Sequence, residues 1–432
     1  MSHANMRHRR AAISAGPAIV WLLLGVGMFW FGWGRVEAQS ASTPTIGVTG
    51  AGNGGRFTIS TGGGAPTPQF LMMFSYFAAL RPDPDTTPAQ YFGTDSPAVM
   101  GRLEQHFQLL KQKGFDGVRV FPNWWWNTSG GGCTADPLPV IRANGSIDPV
   151  AAGRLQRVLD LAGRQGLVVD VSWAMETVAG LTWNNYLLGL LRATSLMKNQ
   201  FPQAMFDIQN EYNVGNGHPC KPIAQSPAEL AFAITNLKNA AVCITDPGPA
   251  TYCGDPNRLM FASSAGVPLS GAPPARSVNN DSFTASMNVV ATHEARDYGS
   301  LYLSGINNYS PLGPAPFGSY PDWVVSSGPR VFQIRLDQAA QHPGWVRPVY
   351  FQEPNFYSPS SYPCTGAQCA QIALHFQEAA IGAKFYGAAA WTFHTEGFFK
   401  KNGAAGFLYG PELAFLDLAM NVKNYPNWGA SY

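Results

Sequence analysis

Short apolar runs alternate with helix-like stretches about eight times along this chain, and that alternation limits what it can fold into. The apolar runs are residues 70–76, 117–121, 167–171, 204–209, 258–262, 287–292, 348–352 and 385–391. They are apolar at successive positions rather than at alternate ones. Strands of that kind need cover on both faces, which helices between parallel strands supply. The intervening helices have readable ends. One starts at Asp95 or Ser96 and stops at Gly114; another opens on Asp148-Pro149 and ends at Gly166. Further helices are expected over 184–198, 227–241, 331–341, 368–384 and 411–422. The segment 298–321, with Ile306-Asn307-Asn308-Tyr309, is an inserted loop or hairpin, or else competes with 287–292 for the sixth strand.

The expected fold is therefore α/β, a single (β/α)8 TIM barrel over 69–432 with long loops on one face. A doubly wound open sheet is the alternative. It wants a Gly-rich phosphate turn after the first strand, and Tyr76-Phe77-Ala78-Ala79 is not one. Residues 39–68 precede the barrel. There Thr45 to Thr49, a Gly-Asn-Gly-Gly turn at 52–55 and Arg56 to Ser60 read as a β-hairpin or linker, expected to cap the barrel's bottom.

Two strands end in a glutamate: the fourth runs into Asn210-Glu211 and the seventh into Glu353. In a barrel of this type chemistry sits at the C-terminal ends of the strands. A carboxylate just past a buried strand is held by rigid backbone.

Composition narrows the partners. Of 432 residues, 46% are hydrophobic and only 12% charged, with a net charge of +2. Disordered and nucleic-acid-binding chains need more charge than this. Twelve tryptophans in so uncharged a chain suit flat, uncharged ligands such as sugars, though aromatic residues also simply fill cores. Arg7, Arg9 and Arg10 precede an apolar run at 18–33, and Val36-Glu37-Ala38 offers a small-x-small cleavage site. Residues 1–38 thus read as a signal peptide, with an uncleaved anchor as the alternative. A secreted or periplasmic location follows, with no membrane contact after cleavage.

The cysteines, Cys133, Cys220, Cys243, Cys253, Cys364 and Cys369, are even in number and lie in the exported part. Six allow fifteen pairings. Local spacing favours Cys364–Cys369 and Cys243–Cys253, which leaves Cys133–Cys220. No spacing suggests a metal site, and no cofactor is expected.

In order and spacing these motifs resemble the clan A glycoside hydrolases, the (β/α)8 group that includes cellulases and mannanases, and in particular its family-five branch. The resemblance rests on Asn210-Glu211 ending strand four, Glu353 ending strand seven, Arg119 in Gly117-Val118-Arg119 at strand two, and Trp391 in Ala389-Ala390-Trp391 at strand eight. It implies a retaining glycosidase with Glu211 as acid/base and Glu353 as nucleophile, acting on an oligo- or polysaccharide. Departures stand beside it. Tyr212 replaces the usual proline after Asn-Glu, and Ser172-Trp173 stands where the branch often has a histidine.

A retaining pair needs carboxyl groups about 5–5.5 Å apart. Arg119 beside Glu353 would favour the charged nucleophile; its competing reading is a structural ion pair. Asn210 would hydrogen-bond a sugar hydroxyl. His293 or Tyr309 would orient the nucleophile, and His394 would contact hydroxyls. Trp124 and Trp125 in the Trp triplet after strand two, with Trp173 and Trp391, are candidate subsite walls; the competing reading is packing. Asp170, mid-strand, reads as part of a structural network. A monomer is expected. The rival functions are a non-catalytic carbohydrate-binding barrel and a transglycosylase of the same architecture.

Overall fold

The computed structural model describes residues 42–49, 55–81, 86, 88–123, 139–173, 180–210, 227–246, 250–265, 286–293, 331, 334–335, 347–354, 366–394, 410–426 and 428–429. A small antiparallel sheet comes first, with β1 (Thr45–Thr49), β2 (Arg56–Ser60) and β3 (Thr67–Gln69) in that order. The expected hairpin is thus β1–β2, and β3 adds a third strand along β2. The backbone N–H of Ile46 donates to Pro202 O at 3.0 Å, and Gly55 bridges Pro348. Both prolines precede barrel strands, so this sheet covers the N-terminal end of the barrel.

The barrel strands β4 (Leu71–Ser75), β5 (Gly117–Val120), β6 (Val168–Ser172) and β7 (Ala204–Asp207) are parallel neighbours. An antiparallel hairpin, β8 (Cys243–Thr245) and β9 (Thr251–Cys253), intervenes before strand five. Strand five is broken into β10 (Met260–Phe261) and β11 (Ser263–Ala265), with Ala262 between them. β10 pairs with β7 and β11 pairs with β12 (Val290–His293), so one strand position serves both neighbours. β13 (Val349–Phe351) and β14 (Ala390–Phe393) follow, and β14 pairs with β4 to complete the ring. The nine sheet segments therefore fill eight positions, two of them sharing the fifth. The sixth strand is β12; the competing stretch 301–309 lies outside the described residues.

The described helices are α1 (Pro97–Gln112), α2 (Pro149–Arg164), α3 (Trp183–Leu196), α4 (Pro227–Leu237), α5 (Gly366–Phe385) and α6 (Gly410–Asn424). Their ends follow the local chemistry. Asp148 caps α2 by accepting from the backbone N–H of Val150 and Ala151 at 2.9 and 2.8 Å. Gly114 and Gly166 end α1 and α2 with φ of +93° and +69°, backbone that suits glycine and terminates a helix. Between strands and helices lies an aromatic layer in which Phe393 stacks on Phe415 at 4.1 Å.

The ring interior is different. Barrels of this type usually fill it with branched aliphatic side chains. Here Asp170, Ser172, Asp207, Tyr350, Gln352 and Thr392 hydrogen-bond one another inside it, all fully buried. Among the described residues no helix is long and apolar enough to cross a membrane; the run at 18–33 lies outside them.

Candidate active site

Glu353 lies two residues beyond the end of β13, fully buried. Arg119 Nη1, from β5, donates to its Oε1. His293 Nδ1, at the end of β12, is 3.3 Å from Oε2, and His394 Nε2, just past β14, is 3.6 Å from the same oxygen. His394 is steadied by Ser75, whose Oγ is 3.0 Å from its Nδ1. The other arms of Arg119 are also committed. Nη2 donates to Asn210 Oδ1, and Nε donates to Ser172 Oγ at 2.7 Å. Asp207 Oδ2 lies 3.5 Å from Nη2 and Asp170 Oδ2 lies 3.7 Å from Nε. One planar guanidinium thus ties together the ends of strands two, three, four and seven, a task its rigid fork of donors suits.

A second set of contacts holds this one. Gln352 Nε2 donates to Asp170 Oδ2 at 2.7 Å and to Asp207 Oδ2 at 3.0 Å, while its Oε1 is 2.8 Å from His293 Nε2. Tyr350 O–H donates to Asp170 at 3.1 Å and accepts from Thr392 at 2.8 Å. Ser263, on β11, gives both its N–H and its O–H to Asp207.

The buried charges do not cancel: Arg119 faces Asp170, Asp207 and Glu353. Burial pushes the Asp170 carboxyl up to about 7, against the pull of Arg119 and with help from Asp207. Burial alone would lower Arg119, but Glu353, Asp170 and Asp207 outweigh it and hold the guanidinium above its ordinary value. Burial lowers His293, with the Glu353 charge pulling the other way.

Of the residues singled out in the sequence, Arg119, Asn210, His293, His394 and Glu353 meet in this cluster. Glu211 follows Asn210 directly and lies outside the described residues, as do Trp124, Trp125 and Tyr309. Two expectations are corrected. Trp391 does not face the barrel interior. It lies on the outer side of β14 and packs against Phe376 of α5 and Phe415 of α6, with ring centroids 6.5 and 5.7 Å away. Trp173 likewise packs edge-on against Phe206 at 5.4 Å. Both are fully buried. Strand alternation explains it: Thr392 and Ser172, their neighbours, are the side chains that turn inward.

Sequence reasoning left out Asp207, Gln352, Ser172, Tyr350 and Ser263 as site residues. A signal existed. A carboxylate or amide inside an otherwise apolar run, as in Met205-Phe206-Asp207-Ile208 or Tyr350-Phe351-Gln352, needs a buried partner. Phe77 and Phe121 were also passed over. They stack at 4.6 Å next to the cluster, with the Arg119 guanidinium 4.7 Å from the Phe121 ring and the His394 ring 5.2 Å from Phe77.

Cys243 and Cys253 form a disulfide across β8–β9, the pairing that local spacing favoured. Cys133, Cys220 and Cys364 lie outside the described residues, and so does the side chain of Cys369. Among the described residues no group of three or more His, Cys, Asp or Glu is arranged to hold a metal ion.

No protein-family model matches the sequence, and no curated protein matches it significantly. Solved structures do share the fold. A GH5_18 protein from Streptomyces cattleya, in complex with Manb1-4GlcNAc, is 16% identical over 82% of this chain and 81% of its own, with a TM-score of 0.51. A GH5_18 protein from Bifidobacterium longum subsp. infantis is 13% identical over 83% and 81%, with a TM-score of 0.51. A glycoside hydrolase family 5 mannosidase from Rhizomucor miehei is 10% identical over 88% and 97%, with a TM-score of 0.50. The barrel that the sequence resemblance implied is the fold present, and it is the fold of family-five glycoside hydrolase structures.

Proposed function

We propose that this chain is an exported glycoside hydrolase that cleaves a glycosidic bond with retention. Glu353 is the nucleophile in this reading and Glu211 the acid/base. The observation that carries it is the bridge made by Arg119. Its two terminal nitrogens bind Glu353 and Asn210, so the side chains ending strands seven and four converge on one guanidinium. Glu211 is the next residue after Asn210. That convergence suits the carboxylate separation of about 5–5.5 Å that double displacement requires.

Glu353 attacks the anomeric carbon while Glu211 gives its proton to the leaving oxygen. The glycosyl–Glu353 ester is then cleaved by a water that Glu211 deprotonates. Positive charge on Arg119 favours the ionised Glu353 that attack needs. Asn210 has its Oδ1 engaged by Arg119, which leaves Nδ2 as its donor for a sugar hydroxyl. His394 stands beside the nucleophile, in reach of the same sugar. The substrate class is a β-linked sugar, and the disaccharide Manb1-4GlcNAc bound by a protein of the same fold is a first compound to try. Residues 1–38 serve as the export signal, 39–68 as the bottom sheet and its linkers, and 69–432 as the catalytic barrel. The Cys243–Cys253 disulfide suits an oxidising compartment outside the cytosol.

The test is kinetic. Glu353→Ala and Glu211→Ala are assayed on activated aryl β-glycosides, after a screen of sugars and β-mannans. Each variant is expected to lose about 10³-fold or more in kcat/KM. Azide should restore turnover of Glu353→Ala as a glycosyl azide of inverted configuration. Losses under about tenfold in both variants would remove the assignment.

A further inference from the structure

Gln352 immediately precedes Glu353, and its side chain is fully buried among groups that leave it one orientation. Its Nε2 is 2.7 Å from Asp170 Oδ2, 3.0 Å from Asp207 Oδ2 and 3.3 Å from Ser172 Oγ. Turning the amide over would set its carbonyl oxygen against two carboxylates. The amide therefore keeps its N–H bonds on the acidic side and presents Oε1 to His293 Nε2 at 2.8 Å. A carbonyl oxygen only accepts, so Nε2 of His293 must carry the hydrogen. A neutral imidazole has one N–H, so the other nitrogen, Nδ1, is left with a lone pair. That nitrogen is the one 3.3 Å from Glu353 Oε2.

We infer that Gln352 is a positioning residue: it fixes His293 as the Nε2–H form and so aims the Nδ1 lone pair at Glu353 to take up that carboxyl's proton. The transfer balances. The O–H bond at Glu353 Oε2 breaks, an N–H bond forms at His293 Nδ1, and a carboxylate beside an imidazolium results. The role deepens the glycosidase reading and rests on it: Arg119 favours the charged Glu353, and His293 gives the proton that Glu353 sheds a place to go. Without Gln352 the ring is free to carry its hydrogen on Nδ1. It would then bond to a carboxylate already ionised but have no lone pair for a carboxyl proton.

The surrounding charges fit the role. Facing His293 are Glu353, Arg119, Asp207 and the Gln352 amide. Asp170 acts at one remove through Gln352, and His394 shares the Glu353 oxygen. Glu353 and Asp207 favour the imidazolium, while Arg119 and burial oppose it. Burial is the largest of these influences and leaves the ring below its ordinary value, so a proton it takes up is readily given back.

The experiment is histidine-selective nitrogen NMR on the intact protein from about pH 5 to 8, where imidazole titrates. The His293 signal is assigned by its loss in His293→Asn. In the wild type Nε2 is expected to keep its hydrogen throughout, with any titration confined to Nδ1. A neutral ring bare at Nε2 would overturn the inference with no variant needed. In Gln352→Leu, Nε2 should lose its fixed hydrogen. The acid limb of kcat/KM should also move by more than half a pH unit, with kcat down about 10- to 100-fold and KM changed far less. A Gln352→Leu protein that folds and keeps both the wild-type tautomer and the pH profile would overturn it as well. Gln352→Met serves the same purpose if the leucine variant does not fold. The tautomer is read without substrate, so failure of the inference and failure of the glycosidase reading are separable.

Discussion

Arg119 and the two histidines hold Glu353 by different oxygens: Arg119 Nη1 meets Oε1, while His293 and His394 approach Oε2. The nucleophile proposed here is therefore held at both oxygens. Replacing Arg119 by lysine keeps one charge but loses the fork that also reaches Asn210 and Ser172. We expect Arg119→Lys to fold and to lose about 10²-fold or more in kcat/KM, by steady-state assay on the best aryl glycoside. Arg119→Ala should do worse in a different way. It strands Asp170, Asp207 and Glu353 without a cation, and should cost on the order of 3–5 kcal/mol in denaturant unfolding.

Trp391 and His394 sit three residues apart and should behave oppositely. Trp391 is packed between β14 and helices α5 and α6. Trp391→Ala should destabilise the protein by about 3–5 kcal/mol. At temperatures where the variant is folded, its KM should stay near wild type. His394→Ala should cost less stability than Trp391→Ala, because a smaller buried side chain is removed, and should lower kcat/KM. A large KM increase in Trp391→Ala at full folding would restore the subsite role.

Asp170 gives a pH dependence whose sign can be worked out. Its carboxyl is raised from 3.8 to about 7 by burial. Below the lower value both folded and unfolded chains hold the proton, and the group contributes nothing. As pH rises through the window from 3.8 to about 7, the unfolded chain releases its proton first. Stability therefore falls across that window on this group's account and stays lower above it. Asp170→Asn abolishes that slope. The difference in unfolding free energy, variant minus wild type, should grow by on the order of a few kcal/mol between about pH 4 and pH 8. A difference independent of pH in urea titrations would refute the shift.

The β8–β9 hairpin is expected to matter for stability alone. Its cystine links residues ten apart in sequence, a short loop. The Cys253 backbone N–H is anchored to Ser195 Oγ at 3.1 Å, and Asp246 pairs with Arg192, both on α3. Replacing both cysteines by serine should cost about 2–3 kcal/mol from loop closure. The kcat of the folded protein should not change, because the hairpin lies at the end of α3 that leads into the N-terminal end of β7.

Much of the barrel could be read from local sequence. Strands and helices are local objects, and so are their stops. Gly114, Gly166 and the Asp148 cap each act within a few residues, and each ends or starts a helix where expected. The broken fifth strand was less legible. Its break at Ala262 follows from having to pair with β7 on one side and β12 on the other, and neither partner is near in sequence. Of the site, Arg119, Asn210, His293, His394 and Glu353 were visible as polar residues at strand ends. The inner network was not, because Asp207 and Gln352 meet across 145 positions of chain.

By itself the sequence determined the alternation of strands with helices, the caps between them and the two glutamates that end strands four and seven. Only the tertiary structure decided which face of each strand looks inward. Strands buried on both sides carry no polar–apolar alternation to announce it. Ring closure turned Thr392 and Ser172 toward the axis and sent Trp391 and Trp173 into the helix layer. It also put one arginine in reach of three other strands' side chains. That positioning depends on the register of the whole ring, which no short stretch of the chain encodes.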